Sequence, residues 1–266
     1  MSEWDELTTW LHSRPGHYGV QVCTPSGEVL YSYHADGVQP AASLIKVPIA
    51  LTLDHYARLG ALHMTETVEL TETARTAGDG TVDTAAAGTR WSYATLIEHM
   101  LRESDNTASN LLLTLLEQRG LGMAAVNALM QELGAFNTRL QRRFMDFAAA
   151  QAGHDNLTTP ADMAHLFVHL AVSVQPTTHA LLEPLYHTVV QEKIVAGVPY
   201  GTRVAHKTGD LPGVEHDVGL VHAPNGSYII ALLGNVIPDP ATGQHSLAQA
   251  SHIIYTVLNT GDHHGA

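Results

Sequence analysis

One cysteine stands in 266 residues, so Cys23 can form neither an intrachain disulfide nor a cysteine metal cluster. It gives no sign of an oxidising compartment, and a small apolar side chain on a strand accounts for it. Positive charge is scarce as well: 13 Lys and Arg face 26 Asp and Glu, a formal net charge of -13. Nucleic-acid binding needs clustered basic residues, so a phosphate-backbone partner is excluded, and an anionic membrane is disfavoured for the same reason. Long apolar runs are missing, and the longest leucine-rich stretch, Leu111 to Leu116, is far too short to span a bilayer. The start, Met1-Ser2-Glu3-Trp4-Asp5-Glu6, is acidic and lacks the basic residues and apolar run of a secretory signal. That points to a cytoplasmic protein, or to a periplasmic or secreted one if a leader has been removed. The 18 histidines invite a metal reading, but no His-Glu-x-x-His string occurs and His263-His264 sit near the terminus. The scattered histidines are expected on the solvated surface, and no metal or organic cofactor is expected.

What remains is an ordinary soluble composition, 45% apolar with a mean hydropathy of -0.01, and no repeat, low-complexity tract or charged linker. One compact domain over residues 1–266 is the expectation. Asp5 to Ser13 reads as a short amphipathic helix, and Tyr18 to Thr24 with Glu28 to His34 as a hairpin about Pro25-Ser26-Gly27. From Ser43 to about Glu192 the periodicity is helical: Leu44 to Leu59, Tyr93 to Arg102, Thr107 to Leu116, Met123 to Leu133, Pro160 to Val172 and Thr177 to Gln191. Strands return at Arg203 to Lys207, Asp217 to His222 and Ser227 to Val236, before a last helix, about Ser246 to Leu258, that ends near Gly261. This order predicts an α/β fold in which an antiparallel sheet built from both chain ends (about 1–42 and 193–266) is flanked by helices and carries an inserted helical lobe (about 43–192). A cleft between the two lobes would collect whatever chemistry the chain holds.

Three short strings carry that chemistry: Ser43-Leu44-Ile45-Lys46, Ser104-Asp105-Asn106 and Lys207-Thr208-Gly209. A serine hydroxyl needs a nearby base and a site for the developing oxyanion. Ser43 falls at an expected helix start, where the positive end of the helix dipole favours charge on oxygen, and Lys46 lies one turn on along the same face. Pro48 removes one helical hydrogen bond unless it falls in the first turns. Ser104 can relay a proton to a leaving nitrogen, and Asn106 can hold both Lys46 and a substrate carbonyl. Lys207 would attract a carboxylate, Thr208 would hydrogen-bond it, and Gly209 would let backbone approach substrate. Each string alone also has a plain reading: a helix start with a solvated lysine, an N-cap before Thr107, and a strand ending in a turn glycine. The chain holds only three lysines, Lys46, Lys193 and Lys207, and two of them fall inside the motifs that require one.

In combination the three strings resemble the class A β-lactamases, penicillin-recognising active-site-serine hydrolases. The likeness runs from about Val20 to Tyr255 and includes Ser104 to Leu116, Asn137-Thr138-Arg139-Leu140 and Thr158-Thr159-Pro160. It implies the β-lactamase fold, with Ser43 as the acylated nucleophile, Lys46 its proton acceptor, Ser104 the proton relay and Asn106 a substrate-amide contact. It further implies Lys207 and Thr208 as carboxylate anchor and the N–H groups of Ser43 and Asp210 as oxyanion hole.

Two departures accompany the likeness. Inside their omega loop class A enzymes carry a Glu-Pro-x-x-Asn string that positions the deacylating water, whereas this chain has Arg143-Phe144-Met145-Asp146-Phe147-Ala148. Asp146 is the sole carboxylate in Arg139 to Gln151, and it either takes over deacylation or makes a structural loop contact. At or near the place of a substrate-binding arginine stands His216, either a substrate contact or a strand-edge histidine. The expected activity is acyl-enzyme formation on Ser43 with a small-molecule β-lactam, ester or amide, β-lactam hydrolysis leading but slow. The alternatives are an esterase or D-amino-acid peptidase on the same scaffold, and a penicillin-binding sensor that stops at the acyl-enzyme. No feature of the sequence sets the oligomeric state.

Overall fold

In a computed structural model, which describes residues 3–78 and 80–260, the two ends of the chain meet in one antiparallel sheet. Its strands are β1 (His17–Cys23), β2 (Val29–Tyr33), β3 (Arg203–Leu211), β4 (Val214–His222) and β5 (Tyr228–Asn235), in the order β2-β1-β5-β4-β3. The central strand β5, Tyr-Ile-Ile-Ala-Leu-Leu-Gly-Asn, lacks polar alternation because the sheet is covered on both faces.

Helices α1 (Asp5–Ser13), α2 (Lys46–Arg58), α3 (Tyr93–Arg102), α4 (Asn106–Gln118) and α5 (Gly122–Glu132) come first in the chain. Then follow α6 (Phe147–Gln151), α7 (Pro160–Val172), α8 (Pro176–Ala180), α9 (Leu182–Leu185) and α10 (Pro240–Thr260). Against one face of the sheet, Val20, Val22, Ile230 and Leu232 pack on Leu7 and Leu11 of α1 and on Leu247 and Ile254 of α10. Against the other, Ala231 and Leu233 join a core with Leu44, Ile45, Phe167 and the leucines of α4. Leu112, Leu113 and Leu116 are fully buried, so α4 is the apolar axis of the helical part, and each such leucine contributes about 1.5–3 kcal/mol.

The structure corrects several element boundaries. The single helix expected over Thr177 to Gln191 is instead α8 and α9, because Pro184 has no N–H to return to Ala180 and its ring displaces that carbonyl. Strands β3 and β4 run on to meet at Pro212-Gly213, where Gly213 takes φ 76°. The last helix begins earlier than Ser246, at Pro240, a residue suited to a first turn. Its Gly243 lies against β4, where an added Cβ would meet the Glu215 side chain at 2.5 Å. The expected end near Gly261 and the pair His263-His264 lie outside the described residues. His206 and His216 are buried, against the expectation of a solvated surface. No helix among the described residues is long and apolar enough to cross a membrane.

Candidate active site

Ser43 lies in a 3-10 turn, Ala42–Ile45, that leads directly into α2 at Lys46. Pro48 is the third residue of α2, where its missing N–H removes no intrahelical bond. Ala42 is held at φ 47° and Ser104 at φ 60°, left-handed values that cost about 1–3 kcal/mol for a residue with a Cβ. One strained residue directly precedes Ser43 and the other is Ser104 itself.

The turn at Ser104 brings the second string onto the first. Asp105 caps α4, its Oδ1 accepting from the Ala108 N–H at 2.7 Å, while Oδ2 accepts from the Val82 N–H at 2.8 Å. The N-cap reading of this string and its place beside Lys46 therefore hold together. Lys46 is fully buried, and its Nζ lies 3.1 Å from Ser43 Oγ, 3.0 Å from Ser104 Oγ and 2.9 Å from Asn106 Oδ1, and also meets the Ser104 carbonyl. An ammonium has three protons for these four oxygens. A neutral amine also makes three contacts, but one of them is its lone pair accepting from a serine hydroxyl, the arrangement a proton acceptor needs. Burial, and then the ammonium of Lys207, push Lys46 well below the ordinary lysine value, with Asp105 and Asp210 opposing.

Strand β3 delivers the third string to the same place. A Cβ on Gly209 would stand 3.2 Å from both the Ser43 nitrogen and the Ala42 Cβ, so the missing side chain lets β3 approach Ser43. Lys207 is fully buried and donates to the Thr208 carbonyl at 2.9 Å. Burial pushes it down to about 8, with Asp210 and Asp217 resisting. Among the described residues no group of three or more His, Cys, Asp or Glu is placed to hold a metal ion.

A family model described as beta-lactamase enzyme family matches residues 4–258. The chain belongs to that family. It is 32% identical over 178 residues to beta-lactamase FAR-1 of Nocardia farcinica, covering 64% of this chain and 56% of that protein. The chain thus spans about half the length of the curated relatives it matches. A beta-lactamase structure from Sphaerobacter thermophilus superposes with a TM-score of 0.87 at 26% identity, covering 97% of this chain and 98% of that one. A mutant of PBP-A in acyl-enzyme complex with penicillin G gives 0.85 at 26% identity, covering 97% of each. The fold is that of the class A β-lactamases.

Two candidates do not join the site of this β-lactamase-family protein. His216 is fully buried; its Nε2 donates to the Pro40 carbonyl at 2.8 Å and its Nδ1 accepts from the Gly234 N–H at 3.1 Å. Burial pushes it down to about 4, so it stays neutral, and no ring nitrogen is left for a substrate carboxylate. Asp146 is exposed and caps α6, its Oδ1 accepting from the Ala149 N–H at 3.0 Å. It is a helix cap and makes no hydrogen bond to Lys46.

Two residues without an assigned role do matter here. The Phe144 ring centroid lies 4.6 Å from Lys46 Nζ, on the omega-loop side where the family's glutamate was sought. Its main chain is clamped by Asn110 of α4: the Phe144 N–H donates to Oδ1 at 3.1 Å, and Nδ2 donates to the Phe144 carbonyl at 3.2 Å. The other is Lys193, fully buried and ion-paired with Asp210 and Glu215.

Proposed function

We propose that this protein is a serine acyl-transfer enzyme that opens β-lactam, ester or amide carbonyls by acylating Ser43, and that it releases β-lactam acyl groups slowly. The observation that carries the reading is the convergence of Ser43, Ser104 and Asn106 on one buried, deprotonation-prone amine, Lys46. Lys46 takes the Ser43 proton as Oγ attacks the carbonyl carbon. The oxyanion is met by the Ser43 and Asp210 N–H groups, backbone donors already fixed in place before the charge develops. Ser104 passes the proton to the leaving nitrogen, Asn106 holds the substrate amide, and Lys207 with Thr208 receives a carboxylate. The names of the relatives, including a penicillin G acyl-enzyme of PBP-A, support this reading.

Release needs an activated water, and here an apolar ring faces Lys46 while the nearby carboxylate, Asp146, is engaged as a cap. The same observation favours esterase or peptidase action on the scaffold, because acyl groups other than opened β-lactams leave more readily. Intact-mass spectrometry over time with penicillin G and with simple esters tests the proposal. A penicillin adduct that maps to Ser43, vanishes in Ser43→Ala and decays slowly is the expected result. Label on Ser104, or undiminished label in Ser43→Ala, refutes it.

A further inference from the structure

Side chains alternate along a strand, so on β3 the anchoring Thr208 and the next residue but one, Asp210, share a face, roughly 7 Å apart. Asp210 pairs across the hairpin with Glu215. Behind them the buried Lys193 meets the Asp210 carboxylate, Glu215 Oε2 at 2.7 Å and the His216 carbonyl at 3.1 Å. Two of these contacts are hydrogen bonds, to Asp210 and the His216 carbonyl, the third is an ion pair, and the ammonium itself is fully buried. Burial would push Lys193 down, but Asp210 and Glu215 outweigh it and keep it charged. Lys193 is therefore a cation that has nothing left to offer a substrate. The Asp210 side chain remains 47% exposed, an anion next to the hydroxyl that would receive a substrate carboxylate. Lys207, by contrast, has no carboxylate partner within ion-pair distance among the described residues, and its bond to the Thr208 carbonyl leaves two protons free.

We infer that Asp210, held by Lys193 and Glu215, is a specificity-determining residue that disfavours acyl donors with a carboxylate beside the scissile carbonyl and favours donors neutral at that position. The inference rests on the acylation of Ser43 proposed above and names the substrate class of that site: esters and amides without a free acid. Lys207 and Thr208 still attract an anion, and Asp210 opposes them from the strand face it shares with Thr208. The outcome is a site tuned away from free acids rather than closed to them.

The test compares penicillin G with its methyl ester, which differ in that one charge. Acylation rates of Ser43 by both are measured by intact mass in the wild type, Asp210→Asn and Asp210→Glu, with Asp210→Ser as a smaller replacement should the amide perturb folding. The ratio of acid to ester rate should rise about fivefold to tenfold in Asp210→Asn, as expected for removing a like charge at this separation. Asp210→Glu should keep the wild-type ratio. An unchanged ratio in both neutral variants, or a rise in Asp210→Glu equal to that in Asp210→Asn, overturns the inference. Absence of label from either donor in the wild type overturns the acylation reading itself, and the specificity inference with it.

Discussion

Replacing Phe144 with glutamate should convert a slow acyl-enzyme into one that turns over. The ring centroid lies 4.6 Å from Lys46 Nζ, and a glutamate on the same clamped main chain would place its carboxylate at a similar reach. Two effects then act with different signs on the two half-reactions. A positioned general base for water should shorten the lifetime of the penicillin G adduct by roughly 10² to 10⁴. The new anion also favours the ammonium form of Lys46: at about 4.6 Å and an effective dielectric near 20 the attraction is about 4 kcal/mol, close to 3 pKa units. Acylation should accordingly shift its pH dependence upward while deacylation accelerates. Lost packing of a nearly buried ring costs about 3 kcal/mol of stability, so a thermal melt accompanies the kinetics. The assay is adduct lifetime by intact mass in wild type, Phe144→Glu and Phe144→Leu. Equal lifetimes in all three, with folding and acylation intact, would mean that position 144 does not face the hydrolytic water and would refute the reasoning.

Acylation by penicillin G should rise with pH through the lowered Lys46 value, be substantial at neutrality, and fall above about pH 8 as Lys207 loses its charge; the methyl ester should show no such fall. A rate that climbs only above about pH 10 removes Lys46 as the base. Asp146→Asn should leave the adduct lifetime unchanged; if the lifetime lengthens tenfold or more, the cap has a second role in deacylation. Asp146→Ala should lose about 1 kcal/mol of stability with the cap, read by denaturant titration. Lys193→Met should destabilise the fold by about 3 kcal/mol, the lower end for a broken buried pair, since Asp210 can hydrate and Glu215, raised to about 7 chiefly by burial, can take a proton. Losses under about 1 kcal/mol would show that the ammonium is not what holds the two carboxylates.

The site motifs were legible because acyl transfer demands particular residue types at particular spacings, and Ser43, Lys46, Ser104 and Asn106 meet at the distances such chemistry needs. The sheet was legible because strand patterns occur at both ends of the chain and little else does between them. Thr177 to Gln191 misled because apolar periodicity persists across Pro184, whose missing donor breaks the helix without disturbing the pattern. His216 misled for a different reason: counting along a hairpin places a residue, but not whether its ring meets a substrate or the Pro40 carbonyl. Asp146 carried its own signal unread, an Asp directly ahead of Phe147-Ala148-Ala149-Ala150, which is an N-cap before a helix-forming run. Phe144 had no signal of its own, since nothing in its neighbours announces that its ring will lie on a lysine more than ninety positions earlier.

The clamp that Asn110 places on Phe144 has a consequence for how such a protein can change over generations. Because both hydrogen bonds go to main-chain atoms, the path of the loop does not depend on the side chain carried at 144. The position is a socket into which different chemistries can be inserted while the surroundings stay in place. Phenylalanine and glutamate codons share no base, yet leucine and valine bridge them by single-nucleotide steps. Each intermediate is apolar and would keep Lys46 covered. Along such a path a carboxylate would arrive beside Lys46 only at the final step.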